Sequence, residues 1–321
     1  VIKNCPGSEE ARLAQRDLKS IYIDLNKVDE YADFASTIPG GANFDVNERD
    51  SLTDVAAERV YMRGETADAR NSFIRYLQTF PEGAFSLNAN YYIGLIDYNQ
   101  QNYASAAPYL NKVLEYPNNK YSEEAMMMSA EIAYIAKDYA QSLEWYKLLK
   151  DRASTPERRQ IAATGMLRSA AMSGNGEETI LAATAVLADA KVAPELESEA
   201  RHYRSKALVE ANQLTHAVAD WEALAKDTRN VYGAEAKYRL AQYLFDSGKT
   251  KEAEQEVLNY LEVSTPHAYW LARSFVLLSD IYAKLDRKLE ARQYLLSLKQ
   301  NYQADDDIAG MIESRLENLS E

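Results

Sequence analysis

Cysteine is almost absent from this chain: Cys5 is the single one in 321 residues. An intramolecular disulfide and a cysteine-built metal cluster are thereby excluded. The redox compartment stays open, since reducing and oxidising surroundings both tolerate a lone thiol. Histidine is nearly as scarce, at three, and 12 Gly and 8 Pro leave little room for flexible linkers. No uninterrupted apolar run approaches the ~18 residues that a bilayer span needs. The opening Val1-Ile-Lys-Asn-Cys5-Pro6 lacks the apolar core and small-residue cleavage site of a signal peptide. Positive charge is also short, with 36 Lys and Arg against 49 Asp and Glu, a net charge of −13. No basic cluster overrides that sign, so a nucleic-acid partner is excluded. The acidic balance serves solubility and favours neutral or basic protein partners.

What the chain does have is a period. Seven segments align on Ala69, Ala106, Ser142, Ile180, Ala217, Ala253 and Ala291, at steps of 37, 36, 38, 37, 36 and 38. A fixed period in this range means a stacked array in which each unit buries its apolar face against its neighbours. The second unit reads most clearly. Residues 90–98 predict a first helix, Gln100-Gln101-Asn102 a polar turn, and residues 103–114 a second helix. In that second helix Ala106, Leu110, Val113 and Leu114 fall on one stripe. Pro108 is placed near its start, where a missing N–H costs little. Twelve residues before the aligned position the side chain is small: Ala57, Gly94, Ala130, Ser205, Ala241 and Ser279, with Arg168 the exception. A small residue there lets the two helices of a hairpin approach closely. Pro81, Pro117, Pro156, Pro194 and Pro266 punctuate the joints between units, and Gly64, Gly174, Gly176 and Gly248 the turns within them. The fourth unit is the poorest copy, since Arg168, Ile180 and Thr184 break the pattern and Gly165 lies inside its first helix.

This spacing resembles the tetratricopeptide repeat, a helix–turn–helix unit of about 34 residues. The resemblance covers residues 47–302. It implies an all-α, right-handed superhelical solenoid of about eight antiparallel hairpins plus a capping helix, or sixteen to seventeen helices. Residues 1–46 read as an N-terminal hairpin, with helices from Ser8 to about Asp24 and over 28–36, followed by the loop Ile38–Phe44. In that hairpin either Tyr31 or Ala32 fits the aligned position. The loop reads as a spacer or a binding loop. Residues 303–321 read as the cap, opened by Asp305-Asp306-Asp307. Val1–Asn4 resembles the tail of a second helix, from which an upstream continuation of the array is expected. The slightly long units look like those of bacterial cell-envelope proteins, including outer-membrane assembly lipoproteins. A periplasmic or outer-membrane location is therefore expected, with a cytoplasmic one as the alternative.

Chemistry is sparse. Glu199-Ala-Arg-His202 has the spacing of two metal ligands on one helix face, but it occurs once, whereas a di-iron site needs two copies and two further carboxylates. No phosphate loop, nucleophile elbow or dinucleotide fingerprint is present. The expectation is a protein without enzymatic activity, cofactor or metal.

The resemblance implies that first helices line a concave groove, at positions fifteen, eleven and eight before the aligned residue. These positions supply the candidate partner-binding residues Tyr61, Tyr91, Tyr98, Met127, Tyr134, Tyr238 and Phe245, with Glu58 and Glu131 beside them. Tyrosine is a favoured interface anchor, although several of these rings could instead pack between helices. The chaperone-binding carboxylate clamp of the family needs Lys, Asn and Arg where Asp54, Glu58, Tyr91, Leu95, Met127 and Glu131 stand. The expected function is a scaffold binding a neutral or basic peptide segment or a partner helix in the groove. The alternatives are a structural spacer that assembles through its edges or ends, and a regulatory array attached to an enzyme domain.

Overall fold

The computed structural model describes residues 1–39, 44–116, 118–263 and 265–319. Gly40–Asn43 of the expected loop and the joint proline Pro117 lie outside the described residues. Among the described residues there are seventeen α-helices and no strand. They follow one another as hairpins: α1 (Glu9–Asp24) and α2 (Val28–Ser36), α3 (Val46–Met62) and α4 (Thr66–Thr79), α5 (Ser86–Asn99) and α6 (Tyr103–Leu114), α7 (Ser122–Ile135) and α8 (Tyr139–Arg152). The series continues as α9 (Pro156–Ser173) and α10 (Gly176–Leu187), α11 (Pro194–Glu210) and α12 (Leu214–Leu224), α13 (Val231–Asp246) and α14 (Thr250–Leu261), then α15 (Ala268–Lys284) and α16 (Lys288–Asn301). A last helix, α17 (Ile308–Asn318), packs on α15 and α16 through Ile308 and Ile312. The chain forms two compact units, Val1–Ala162 and Ala163–Glu321.

Each hairpin turn has one residue in the left-handed region. In chain order these are Asn26, Gly64, Gln101, Lys137, Gly174, Asn212, Gly248 and Asp286, at φ between 56° and 80°. Only three are glycines, so most hairpins reverse direction on a residue that bears the steric cost of a Cβ. These residues fix the register of the array. Five positions after each comes a buried residue that starts the stripe of a second helix: Tyr31, Ala69, Ala106, Ser142, Thr179, Ala217, Ala253 and Ala291. The aligned residue of the fourth repeat is therefore Thr179, not Ile180. Thr179, Ala183 and Val186 are buried, whereas Ile180 is half-buried. The Thr179 hydroxyl donates to the Asn175 carbonyl at 2.7 Å, which lets a polar side chain take a core position. The corresponding small-residue position is occupied by buried Leu167 instead of Arg168. In the N-terminal hairpin the same rule selects Tyr31, whose hydroxyl donates to the Gln15 carbonyl at 3.1 Å.

Val1–Asn4 forms a single turn, in which the Val1 carbonyl accepts from the amides of Asn4 and Cys5. One local expectation changes. Pro108 is the sixth residue of α6, past its first turn, so the Ala104 carbonyl loses its helical donor. Ala104 is exposed, which leaves that carbonyl to water. Gly94 shows why the hairpins need small residues: a Cβ there would meet Leu110 Cδ2 at 2.8 Å.

Candidate partner-binding site

In the unit Val1–Ala162, the first helices α3, α5 and α7 carry the expected groove positions in register. A buried polar network ties them together. The Asn88 amide on α5 donates to Asp54 Oδ1 at 2.8 Å and to Glu58 Oε1 at 2.9 Å, both on α3. The Asn88 carbonyl accepts from the hydroxyl of Tyr121 at the entrance to α7. One turn further along α5, Tyr91 is hydrogen-bonded to Glu124 of α7, and two turns beyond that Tyr98 donates to Glu131 of α7. Each repeat thus hands a polar contact to the next.

The four carboxylates Asp54, Glu58, Glu124 and Glu131 take their hydrogen bonds from an amide and from phenols, all neutral partners. Asp50, also buried, likewise accepts from neutral donors, the Tyr76 hydroxyl and the Ala84 amide, whereas two other buried carboxylates are treated differently. Asp97, 1 % exposed, faces the Arg70 guanidinium at 2.6 Å, and Asp220 is held by Arg201 and Arg204. Asp54 is 2 % exposed. Burial first, then the nearby charges of Glu58 and Asp50, outweigh the Asn88 hydrogen bond and the Lys120 ammonium, and push its carboxyl up to about 7. Burial and the bond to Glu131 raise the Tyr98 phenol, and burial and the bond to Glu124 raise the Tyr91 phenol. Both tyrosines therefore act as hydrogen-bond donors at any physiological pH.

The aromatic positions divide into two groups. Tyr91 is buried, its ring stacked on Tyr121 with centroids 3.9 Å apart. Tyr61, Tyr98, Met127 and Tyr134 are half-buried and keep accessible surface. Tyr61 leans on Tyr92, Tyr98 meets Tyr103 edge to face at 5.8 Å, and Tyr134 meets Tyr139 edge to face at 5.2 Å. Glu58 and Glu131 are half-buried between them.

In the unit Ala163–Glu321, Tyr238 is buried and flanked by Trp270 at 5.7 Å and by the guanidinium of Arg273 at 5.1 Å. Phe245 is half-buried beneath the Lys284 ammonium, 5.0 Å from its ring. The face of this unit is charge-paired: Arg168 with Glu199, Arg239 with Glu235, Arg273 with Asp307 and Arg315 with Asp280. His202 stacks on Tyr232 at 4.3 Å, and burial lowers its pKa. Its sequence neighbour Glu199 is turned to Arg168 instead, so the two do not present as a ligand pair. Among the described residues no group of three or more His, Cys, Asp or Glu gathers around one point. Among the described residues no helix is long and apolar enough to cross a membrane.

The network residues Asn88, Tyr121 and Glu124 are absent from the sequence-based candidates. Asn88 and Glu124 share a periodic position, eighteen before the aligned residue, which Glu199, Glu235 and Arg273 occupy in later repeats. That polar position, broken in the fourth repeat by Ile161, is the signal that would have revealed them.

Comparison with known proteins agrees with this architecture. No curated protein matches the chain. Among solved structures, a tetratricopeptide repeat protein from Parabacteroides merdae is similar over 85% of this chain and 99% of its own, at 14% identity and TM-score 0.42. The structure of Naa15/Naa10 bound to HypK-THB is similar over 84% of this chain and 39% of its own, at 14% identity and TM-score 0.50. The TPR2AB-domain:pHSP90 complex of yeast Sti1 is similar over 85% and 98%, at 14% identity and TM-score 0.36. The tetratricopeptide repeat model matches residues 56–120, 91–156 and 204–269, together more than half of the sequence. With the helix hairpins, the shared turn geometry and these matches in register, the chain belongs to the tetratricopeptide repeat family.

Proposed function

We propose that this protein is a non-catalytic scaffold that holds a neutral or basic segment of a partner protein on the α3–α5–α7 face of its first unit. The single observation that carries this reading is the set of four carboxylates hydrogen-bonded to neutral donors and interleaved with half-buried tyrosines. Negative charge at the half-buried Glu58, Glu124 and Glu131 beside accessible rings disfavours an acidic ligand and attracts a lysine or arginine side chain, which gains both carboxylate and ring contacts. Repeat arrays of this fold commonly bind other proteins, and one structure of similar fold is a complex with HypK-THB. The repeat length supports a role in bacterial envelope assembly, a proposal tested by fractionating native cells. The test of the site is direct. With a native partner in hand, Tyr98→Ala combined with Tyr134→Ala should weaken binding on the order of a hundredfold, at about 1–2 kcal/mol per anchor. Glu58→Lys should slow association, an effect that fades in high salt. Unchanged affinity in a correctly folded double variant would move the spacer reading ahead.

A further inference from the structure

Three carboxylates of α3, Asp50, Asp54 and Glu58, follow one another at intervals of four residues and so share one helix face. Their hydrogen-bond donors are all neutral: the Tyr76 hydroxyl and the Ala84 amide for Asp50, and the Asn88 amide for Asp54 and Glu58. The three are not equally provided for. Asp50 accepts two hydrogen bonds, and Glu58 is half-buried and keeps accessible surface. Asp54 is buried and accepts at Oδ1 from Asn88. It is therefore the member of the stripe least able to hold a negative charge.

Hydrogen bonds connect this carboxyl to a cation two hairpins away. The Lys120 ammonium lies 4.6 Å from the centre of the Tyr121 ring and is hydrogen-bonded to the Tyr121 hydroxyl. That hydroxyl donates to the Asn88 carbonyl, and the Asn88 amide donates to Asp54 and Glu58. Every donor in this relay points the same way, from the ammonium toward the carboxylates, so each bond polarises the next. Three hairpins contribute: the carboxylates come from α3, Asn88 from α5, and Lys120 with Tyr121 from the joint before α7. Tyr76 of α4 and Tyr92 of α5 also face Asp54, and burial raises both phenols. The charged groups of α1 and α2 that reach α3 are Lys19, Asp24 and Asp29, which pair with Glu48, Arg59 and Arg49 instead. Lys120 is exposed and free to move along the relay.

We propose that this relay is a proton-governed latch between three successive hairpins, in which the Lys120 ammonium takes over from the proton on Asp54. With Asp54 neutral, the hairpins are joined by neutral hydrogen bonds. With Asp54 ionised, Lys120 is drawn toward the carboxylates, and Tyr121 and Asn88 resettle with it. Burial pushes the Asp54 carboxyl up to about 7, so the proton leaves in the physiological range. As pH rises through that value, the stability that the proton supplies is lost, and Lys120 offsets part of the loss. That the latched face binds a partner rests on the function proposed above. The titration needs no partner, so its failure leaves the scaffold reading standing.

The test follows the full chain by NMR from pH 5 to 9, with labelled asparagine side-chain amides and labelled tyrosine rings. The Asn88 amide and the Tyr121 ring should shift together, with one midpoint near 7. Asp54→Asn, which keeps the shape and an acceptor for Asn88, should flatten both curves. Lys120→Met should raise the midpoint by about half a unit or more, because the ammonium no longer favours the carboxylate. Lys112→Met removes the same charge from an exposed residue paired with Glu115 and should leave the midpoint in place. Flat curves in the parent chain, or curves that persist in Asp54→Asn, would overturn the latch. So would a midpoint that Lys120→Met leaves unmoved or that Lys112→Met moves equally.

Discussion

Asp54 concentrates the physical argument in one side chain. Buried beside Glu58 and Asp50, its carboxyl is pushed from an ordinary 3.8 to about 7. Between those values the folded chain keeps a proton that the unfolded chain has released. Stability should therefore fall as pH rises from about 4 to 7, with the penalty complete above 7. Asp54→Asn keeps an acceptor for Asn88 and never ionises. It should raise stability at pH 8 by about 1–3 kcal/mol and change little at pH 4, as read from urea unfolding at both pH values. Equal effects at the two pH values would refute the burial account. A cationic ligand on this face favours the ionised form, so its binding near pH 6.5 should release a fraction of a proton. Tyr91 teaches a different lesson at the same scale. Its position in the repeat marks it as a groove residue, yet its ring is sandwiched against Tyr121. Tyr91→Ala should cost about 3–5 kcal/mol of stability, as for other buried aromatics, and is a test of folding rather than of binding. The distinction could not be read from sequence, because it depends on how the joint before α7 brings Tyr121 over α5.

At the scale of the element, the period was highly legible. The bounds of α6 agree with the sequence reading, as do the Ser8 cap and the extents of α1 and α2, because capping and the apolar stripe act locally. The register of α10 was not legible, because Thr179 and Ile180 are adjacent and hydrophobicity favours the wrong one. The left-handed turn residue decides it, and only three of the eight turns advertise that residue as glycine. This gives a paired prediction. Gly174→Ala meets no atom within 4 Å, so its cost is purely backbone, about 1 kcal/mol. Gln101→Gly and Lys137→Gly relieve the same strain and should leave stability equal or higher by up to about 1 kcal/mol in thermal melts. Gly233 is a sharper case. A Cβ there would lie 2.1 Å from the Asp227 carbonyl oxygen and 2.6 Å from that of Leu224. Gly233→Ala must displace backbone, whereas Gly94→Ala meets the flexible end of Leu110. The first should therefore destabilise the chain clearly more than the second. The reverse order would contradict the packing described for the start of α13.

For the whole molecule, the net charge of −13 states a preference without locating it. The structure adds a difference in how charge is treated. The first-helix face of Ala163–Glu321 is largely ion-paired, whereas that of Val1–Ala162 keeps four carboxylates on neutral donors. The residue types at each groove position are legible in the sequence but their pairing is not, since most of the pairing partners come from the next repeat, with Arg239 and Glu235 of α13 the exception. The central claim is that this face holds a partner. Site-specific photocross-linking in native cells tests it most directly, with the probe placed in turn at position 134 on the face and at position 116 on an exposed site away from it. The account predicts that a defined partner is captured from position 134 and not from 116, and that Glu58→Lys with Glu131→Lys abolishes the capture. Capture that is equal from both positions, or that survives both charge reversals, would contradict it.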